Sequence, residues 1–134
     1  MAAQTPSLPY SIVPWLSVRQ SAQAVEFYKA AFGAVEVYRL DGPEDSIVAR
    51  MSVHGAEFWV ADESPEHQNF SPESLRGSSV RIIFTVPDPD AMYPQAIEAG
   101  AAEVYPVSEG HGWRVGRVCD PYGHHLEIGQ QLQV

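Results

Sequence analysis

A single cysteine, Cys119, stands in a chain of 134 residues. One thiol excludes an intrachain disulfide and any multi-cysteine zinc site. Cations are scarce as well: Lys and Arg number 8 against 17 Asp and Glu, for a net charge of -9. An acidic chain without a Lys/Arg cluster is not built for nucleic acid, whose phosphate contacts need cations. Nor does it offer a basic face to an anionic membrane. No uninterrupted apolar run approaches the ~20 residues that span a bilayer. Residues 1–9 lack both the basic and the apolar region of a secretory signal. The expectation is a soluble, cytoplasmic protein. With 45% hydrophobic and 19% charged residues the composition is globular, and the length suits one domain.

Periodicity predicts short strands and two helices. Residues 12–18 alternate as a strand, with Leu16 and Val18 on one face and Val13, Trp15 and Ser17 on the other. Ser21 is a candidate cap for a helix carrying Val25, Tyr28 and Phe32 on one stripe and ending at Gly33. Strand-like runs follow at 34–40, 47–53 and 56–61. The second half repeats this order: a strand at 80–86, a short helix capped by Asp88 or Asp90 and ending at Gly100, then strands at 103–107, 113–119 and 124–129. Pro94 would interrupt a long helix, so that helix is expected to start near Asp90. The halves superpose with an offset of 67 or 68 residues. Gly33-Ala34-Val35-Glu36-Val37-Tyr38 falls on Gly100-Ala101-Ala102-Glu103-Val104-Tyr105, and Gly55 on Gly123. Duplication is the economical explanation. The chain thus divides into a βαβββ module at 10–61, a polar linker at 62–79 and a second module at 80–131.

Two such modules, with Pro14-Trp15-Leu16-Ser17-Val18 before Ala24-Val25-Glu26-Phe27-Tyr28-Lys29-Ala30-Ala31-Phe32-Gly33 and with Gly116-Arg117-Val118-Cys119-Asp120-Pro121-Tyr122-Gly123-His124 near the end, resemble the vicinal oxygen chelate superfamily. That superfamily holds glyoxalases, bleomycin-resistance proteins and extradiol dioxygenases. The resemblance covers residues 10 to 131 and is strongest to the glyoxalase-like or bleomycin-resistance-like branch. It implies an α+β fold: two tandem modules forming an incomplete barrel whose concave face binds the ligand.

The resemblance also implies where a metal would be held: the start of the first strand and the middle of the last strand of each module. Those positions are Val13, Trp59, Arg81 and Glu127, and the internal offset carries Val13 onto Arg81 and Trp59 onto Glu127. Three of the four cannot coordinate a divalent cation. The expectation is therefore no metal and no cofactor, with Arg81 and Glu127 as an ion pair. A shifted metal site built from Glu57, His125, Glu127 and His111 is the alternative, because Glu57 and His125 share strand faces with Trp59 and Glu127. His124 and His125 point to opposite faces. Cys119 reads as a small core residue, and Asp120-Pro121-Tyr122-Gly123 as a type I turn. No G-x-S-x-G, G-x-G-x-x-G or P-loop is present.

The concave face is expected to carry Trp15, Trp59, Arg81, Ile83, Trp113, Val115, Arg117 and Glu127. Three tryptophans around one cup suit a planar or apolar ligand oriented by charged groups. His111, between Gly110 and Gly112, is a candidate lid or a plain surface loop. Two functions follow. One is a metal-independent binder of a small molecule, of the bleomycin-resistance kind. The other is a glyoxalase-like lyase, isomerase or dioxygenase that uses a shifted metal or acid–base chemistry through Glu127 or His125. A carboxylate held by Arg81 is a poor proton carrier, which disfavours the second. Open strand edges and the resemblance together point to a homodimer.

Overall fold

A computed structural model of the chain describes residues 9–133; the residues read above for a secretory signal lie almost wholly outside them. The first module runs β1 (Trp15–Val18), α1 (Ser21–Phe32), β2 (Val35–Asp41), β3 (Ile47–Val53) and β4 (Ala56–Asp62). The second runs β5 (Arg81–Thr85), α3 (Pro89–Ala99), β6 (Ala102–Gly110), β7 (Trp113–Cys119) and β8 (His125–Gln131). The segment between them carries a short helix, α2 (Pro72–Leu75). Each module forms one four-stranded mixed sheet, ordered β1-β4-β3-β2 and β5-β8-β7-β6. The edge strands β1 and β5 pair in parallel with β4 and β8, and the remaining pairings are antiparallel. The fold is α+β, two tandem βαβββ modules with no closed barrel.

Each sheet has a helix-covered face and an open face, dictated by alternation along its strands. In β3, Ile47, Ala49, Met51 and Val53 are buried, while Val48 and Arg50 point the other way. The α1 stripe of Ala24, Val25, Tyr28, Ala31 and Phe32 is fully sequestered against them. Strand β1 is shorter than the alternation suggested, because Pro14 has no N–H to donate. Only its carbonyl joins the ladder, accepting from Trp59 N at 2.9 Å.

One helix start differs from expectation and the other agrees with it. Ser21 does not cap α1; it is the helix's first residue. Its N–H donates to Asp62 Oδ1 at 2.8 Å, and its hydroxyl accepts from Ile47 N at 2.9 Å. A carboxylate from the end of β4 thus satisfies a free N–H of the helix, a long-range cap that local pattern does not reveal. In α3, Asp88 is the cap, accepting from Ala91 N at 3.3 Å, and Pro89 occupies the first turn. Pro94 lies within the helix without ending it. It is exposed, so water can reach the Asp90 carbonyl that its missing N–H leaves free.

The modules meet through their helical sides. Phe32 of α1 lies edge-on to Phe84 of β5, ring centroids 5.3 Å apart, and Gln95 donates to the Ala30 carbonyl at 3.0 Å. The turn after β7 seals the join. Asp120, 4% exposed, accepts from Tyr122 N and His124 N, both at 2.9 Å through Oδ1. Its Oδ2 accepts from the Tyr28 hydroxyl of the other module at 2.5 Å. Burial pushes the Asp120 carboxyl above its ordinary range, against these donors. Burial and the adjacent carboxylate hold the Tyr28 phenol well above its own. His124 Nε2 lies 3.0 Å from the carbonyl of buried Ser17, on β1, the outer strand of the first sheet.

Tyr28→Phe would leave Asp120 Oδ2 buried without its donor, a loss of about 1–3 kcal/mol. The expected result is a lower urea midpoint at unchanged slope. An unchanged midpoint would show that the clasp does not hold the modules together.

Candidate functional site

On the open face of the second sheet, strand register sets the residues in rows. Arg81, His125 and Cys119 lie abreast across β5, β8 and β7. Ile83, Glu127, Arg117 and Tyr105 form the next row, Thr85, Gly129, Val115 and Ser108 the third. Trp113 stands beyond them, opposite Gly110. Contacts run diagonally between the first two rows. Arg81 Nε lies 2.9 Å from Glu127 Oε2, and Arg117 Nε donates to His125 Nδ1 at 3.1 Å. Glu127 Oε2 is sealed from solvent yet lacks an aligned hydrogen bond. The Arg81 contact is a charge pair whose N–H does not point along the oxygen's line.

A cavity of about 400 Å³ opens on these rows, lined by Arg81, Ile83, His111, Trp113, Val115 and Glu127 among others. Its size is within the range of small-molecule sites. Gly129 helps shape it: a Cβ there would sit 2.9 Å from the Val115 side chain. His111 and Gly112 adopt left-handed conformations, φ 53° and 83°, and close a two-residue hairpin between β6 and β7. The segment read as a candidate lid is thus a tight turn at the rim of the cavity.

The first module's open face is built differently. Trp15 and Trp59 stack with centroids 5.6 Å apart, and Tyr38 meets Trp59 edge-on at 5.8 Å. The Arg50 guanidinium lies 5.5 Å from the Trp59 ring centre and forms an ion pair with Glu57. The three tryptophans therefore do not surround one cup. Trp113 lines the second module's cavity, and Trp15 and Trp59 spend their ring faces on each other. Arg117 sits beside that cavity, on the same face. Sequence reasoning missed Arg50, although an offset of 67 carries it onto Arg117.

The expected ion pair of Arg81 with Glu127 is present. Val13, Trp59 and Arg81 bring no metal ligand, and Arg81 sets a guanidinium against the remaining one, so the donor set does not fit a divalent cation. The shifted alternative is not assembled either. Glu57 is held by Arg50 on the first sheet, His125 by Arg117, and Glu127 by Arg81. Among the described residues no three His, Cys, Asp or Glu side chains converge. Cys119 is half-buried, its thiol pushed up first by burial and then by Asp120.

Tandem βαβββ modules with an open-faced cavity define the vicinal oxygen chelate superfamily. The glyoxalase-like domain family matches residues 15–129, and the chain belongs to that family. An uncharacterized protein of Mycobacterium bovis, Mb0911c, is 36% identical over 128 residues, covering 92% of this chain and 84% of that protein. The solved structure of the Arabidopsis thaliana At5g48480 product superposes with a TM-score of 0.71 at 28% identity, covering 92% of this chain and all of that one. A glyoxalase/bleomycin resistance protein/dioxygenase family enzyme from Burkholderia phytofirmans shares the fold, with a TM-score of 0.68 at 20% identity over 88% of this chain and 95% of that one. Among the described residues no helix is long and apolar enough to cross a membrane.

Burial, then the Arg117 cation, lowers the pKa of His125 below the ordinary histidine value. The folded state thus binds a proton at His125 less readily than the unfolded chain, and this group costs stability as pH falls through the ordinary histidine range near 6.5. An NMR titration of the imidazole should give a midpoint below that range. Arg117→Gln should raise it part of the way, since burial remains. A midpoint at or above the ordinary value would contradict the arrangement.

Proposed function

We propose that this chain is a cytoplasmic small-molecule binding protein of the bleomycin-resistance kind, which holds a planar, mostly apolar compound without a metal. The observation that carries this reading is the second module's cavity. At its positions equivalent to metal ligands stands an Arg81–Glu127 ion pair, and its walls are Trp113, Ile83 and Val115. Such a site can bury a flat ring against an indole and orient it by hydrogen bonds. The Arg81 guanidinium stands at a ligand-equivalent position and is paired with Glu127, a donor set that does not suit a divalent cation. Sequestration, as in antibiotic resistance, asks for no more than this.

Flat aromatic compounds should bind at micromolar concentration and quench tryptophan fluorescence. Trp113→Ala should weaken them by roughly tenfold or more, the scale of a lost aromatic contact of about 1–2 kcal/mol. The absence of any aromatic ligand below millimolar concentration would refute the reading. Elemental analysis of protein purified without chelator separates it from a glyoxalase-like enzyme: stoichiometric Zn, Ni, Fe or Mn would favour the enzyme.

We also propose that the working form is a homodimer. Tyr10 and Ile12 extend fully exposed ahead of β1, and Trp15, Val80 and Ile83 are each more than half exposed. The cavity walls come from the second module alone, leaving its mouth available to a second copy. Light scattering at micromolar concentration should give twice the 14.7 kDa chain mass. A mass of one chain at every concentration would exclude it.

A further inference from the structure

Acids outnumber bases 17 to 8 in this chain, so an arginine without an acidic partner needs a cause. Arg19, Arg39, Arg50, Arg81 and Arg114 each form an ion pair with a carboxylate. Among the described residues two arginines form none. Arg76 lies exposed at the end of α2, open to water. Arg117 is half-buried on β7, on the open face beside the cavity. Its Nε is spent on the imidazole of His125, and its two terminal nitrogens donate to nothing among the described residues.

The internal repeat sharpens the contrast. Arg50 is the equivalent of Arg117 in the first module, and it is neutralised by Glu57. The offset of 68 places His125 where Glu57 stands. An imidazole has thus taken the place of the carboxylate that would cancel the charge of Arg117. Glu127, opposite Arg117 in the β7–β8 ladder, turns its carboxylate to Arg81 instead. The face of an otherwise acidic protein carries two guanidiniums against one carboxylate; Arg81 is exposed, whereas Arg117 and Glu127 are half-buried, where charge is screened less than at the surface.

We propose that the cavity takes a planar aromatic monoanion, a ring bearing a carboxylate or similar oxyanion, with the ring against Trp113 and Ile83 and the oxyanion at Arg117 and Arg81. The proposal rests on the cavity being a small-molecule site and specifies the charge of its occupant. A guanidinium presents a planar fork of donors that matches the two oxygens of a carboxylate. One negative charge there neutralises the face, whereas a cation would meet two like charges. The overall charge of -9 does not reverse this, because at physiological salt exposed charges beyond ~8 Å are largely screened.

Three probes of one shape and different charge test it: 2-naphthoate, 2-naphthylmethanol and 2-naphthylmethylamine, titrated into the full chain at physiological salt by calorimetry. The expected order is naphthoate tighter than the alcohol by roughly tenfold or more, with the amine weakest. Arg117→Gln should bring naphthoate down to the affinity of the alcohol, and Arg117→Lys should keep part of the preference. If the alcohol or the amine binds as tightly as naphthoate, or if the preference survives Arg117→Gln, the anion assignment is overturned while the small-molecule site stands. If none of the three binds below millimolar concentration, the small-molecule site itself is lost and the assignment with it. The ranking in the unmodified protein decides the matter even where a variant fails to fold.

Discussion

The carboxylate of Asp120 is buried at the seam between two modules, and the way it is satisfied organises the molecule. Two of its donors, the N–H groups of Tyr122 and His124, come from its own turn, and the third is the Tyr28 hydroxyl of the first module. A buried charge left short of donors is costly, so the seam holds only when α1 and the β7–β8 turn are in register. Tyr28 is fully buried, with Phe27, Phe32, Phe58 and Tyr122 packed around it. The hydrogen bond sets the position of the seam and the aromatic cluster supplies its hydrophobic energy. With the helical sides joined in this way, both sheets keep their opposite faces open.

Those open faces descend from one pattern and have diverged in chemistry. On the first, Trp59 is covered by Trp15, Tyr38 and Arg50, and Glu57 cancels the charge of Arg50. It is satisfied from within. On the second, Glu127 stands where Trp59 does and His125 where Glu57 does. The smaller side chains and Gly129 leave a cavity, and the exchange of carboxylate for imidazole leaves a positive charge beside it. The internal repeat thus has two equivalent open faces, one carrying stacked aromatic groups and the other a cavity.

Much of the architecture was legible beforehand because it depends on local rules. Alternation of apolar residues marked five of the eight strands to within one residue at each end, β3 and β7 among them with their bounds as they stand. In the sequence alone, the offset of 67 or 68 pairs Val13 with Arg81 and Trp59 with Glu127. It also held the key to Arg50 and to the contrast of Glu57 with His125, which needed only the same arithmetic. The errors fell where distant groups intervene. The cap of α1 comes from Asp62, some forty residues away in sequence. The His111 segment, read as a lid or a plain surface loop, is a hairpin turn in which His111 takes a left-handed conformation beside Gly112.

The sequence by itself determined the two βαβββ modules, the absence of a metal-ligand set at the family's positions and the Arg81–Glu127 pair, because periodicity and residue chemistry at fixed spacing carry that information. Only the tertiary structure decided that the tryptophans are divided between two faces, that the Asp120 turn clasps the modules, and that Arg117 meets no acid among the described residues. These depend on which side of each sheet is covered and on which neighbour a long side chain turns toward. Both are settled by packing between segments far apart in the chain, where no local pattern reaches.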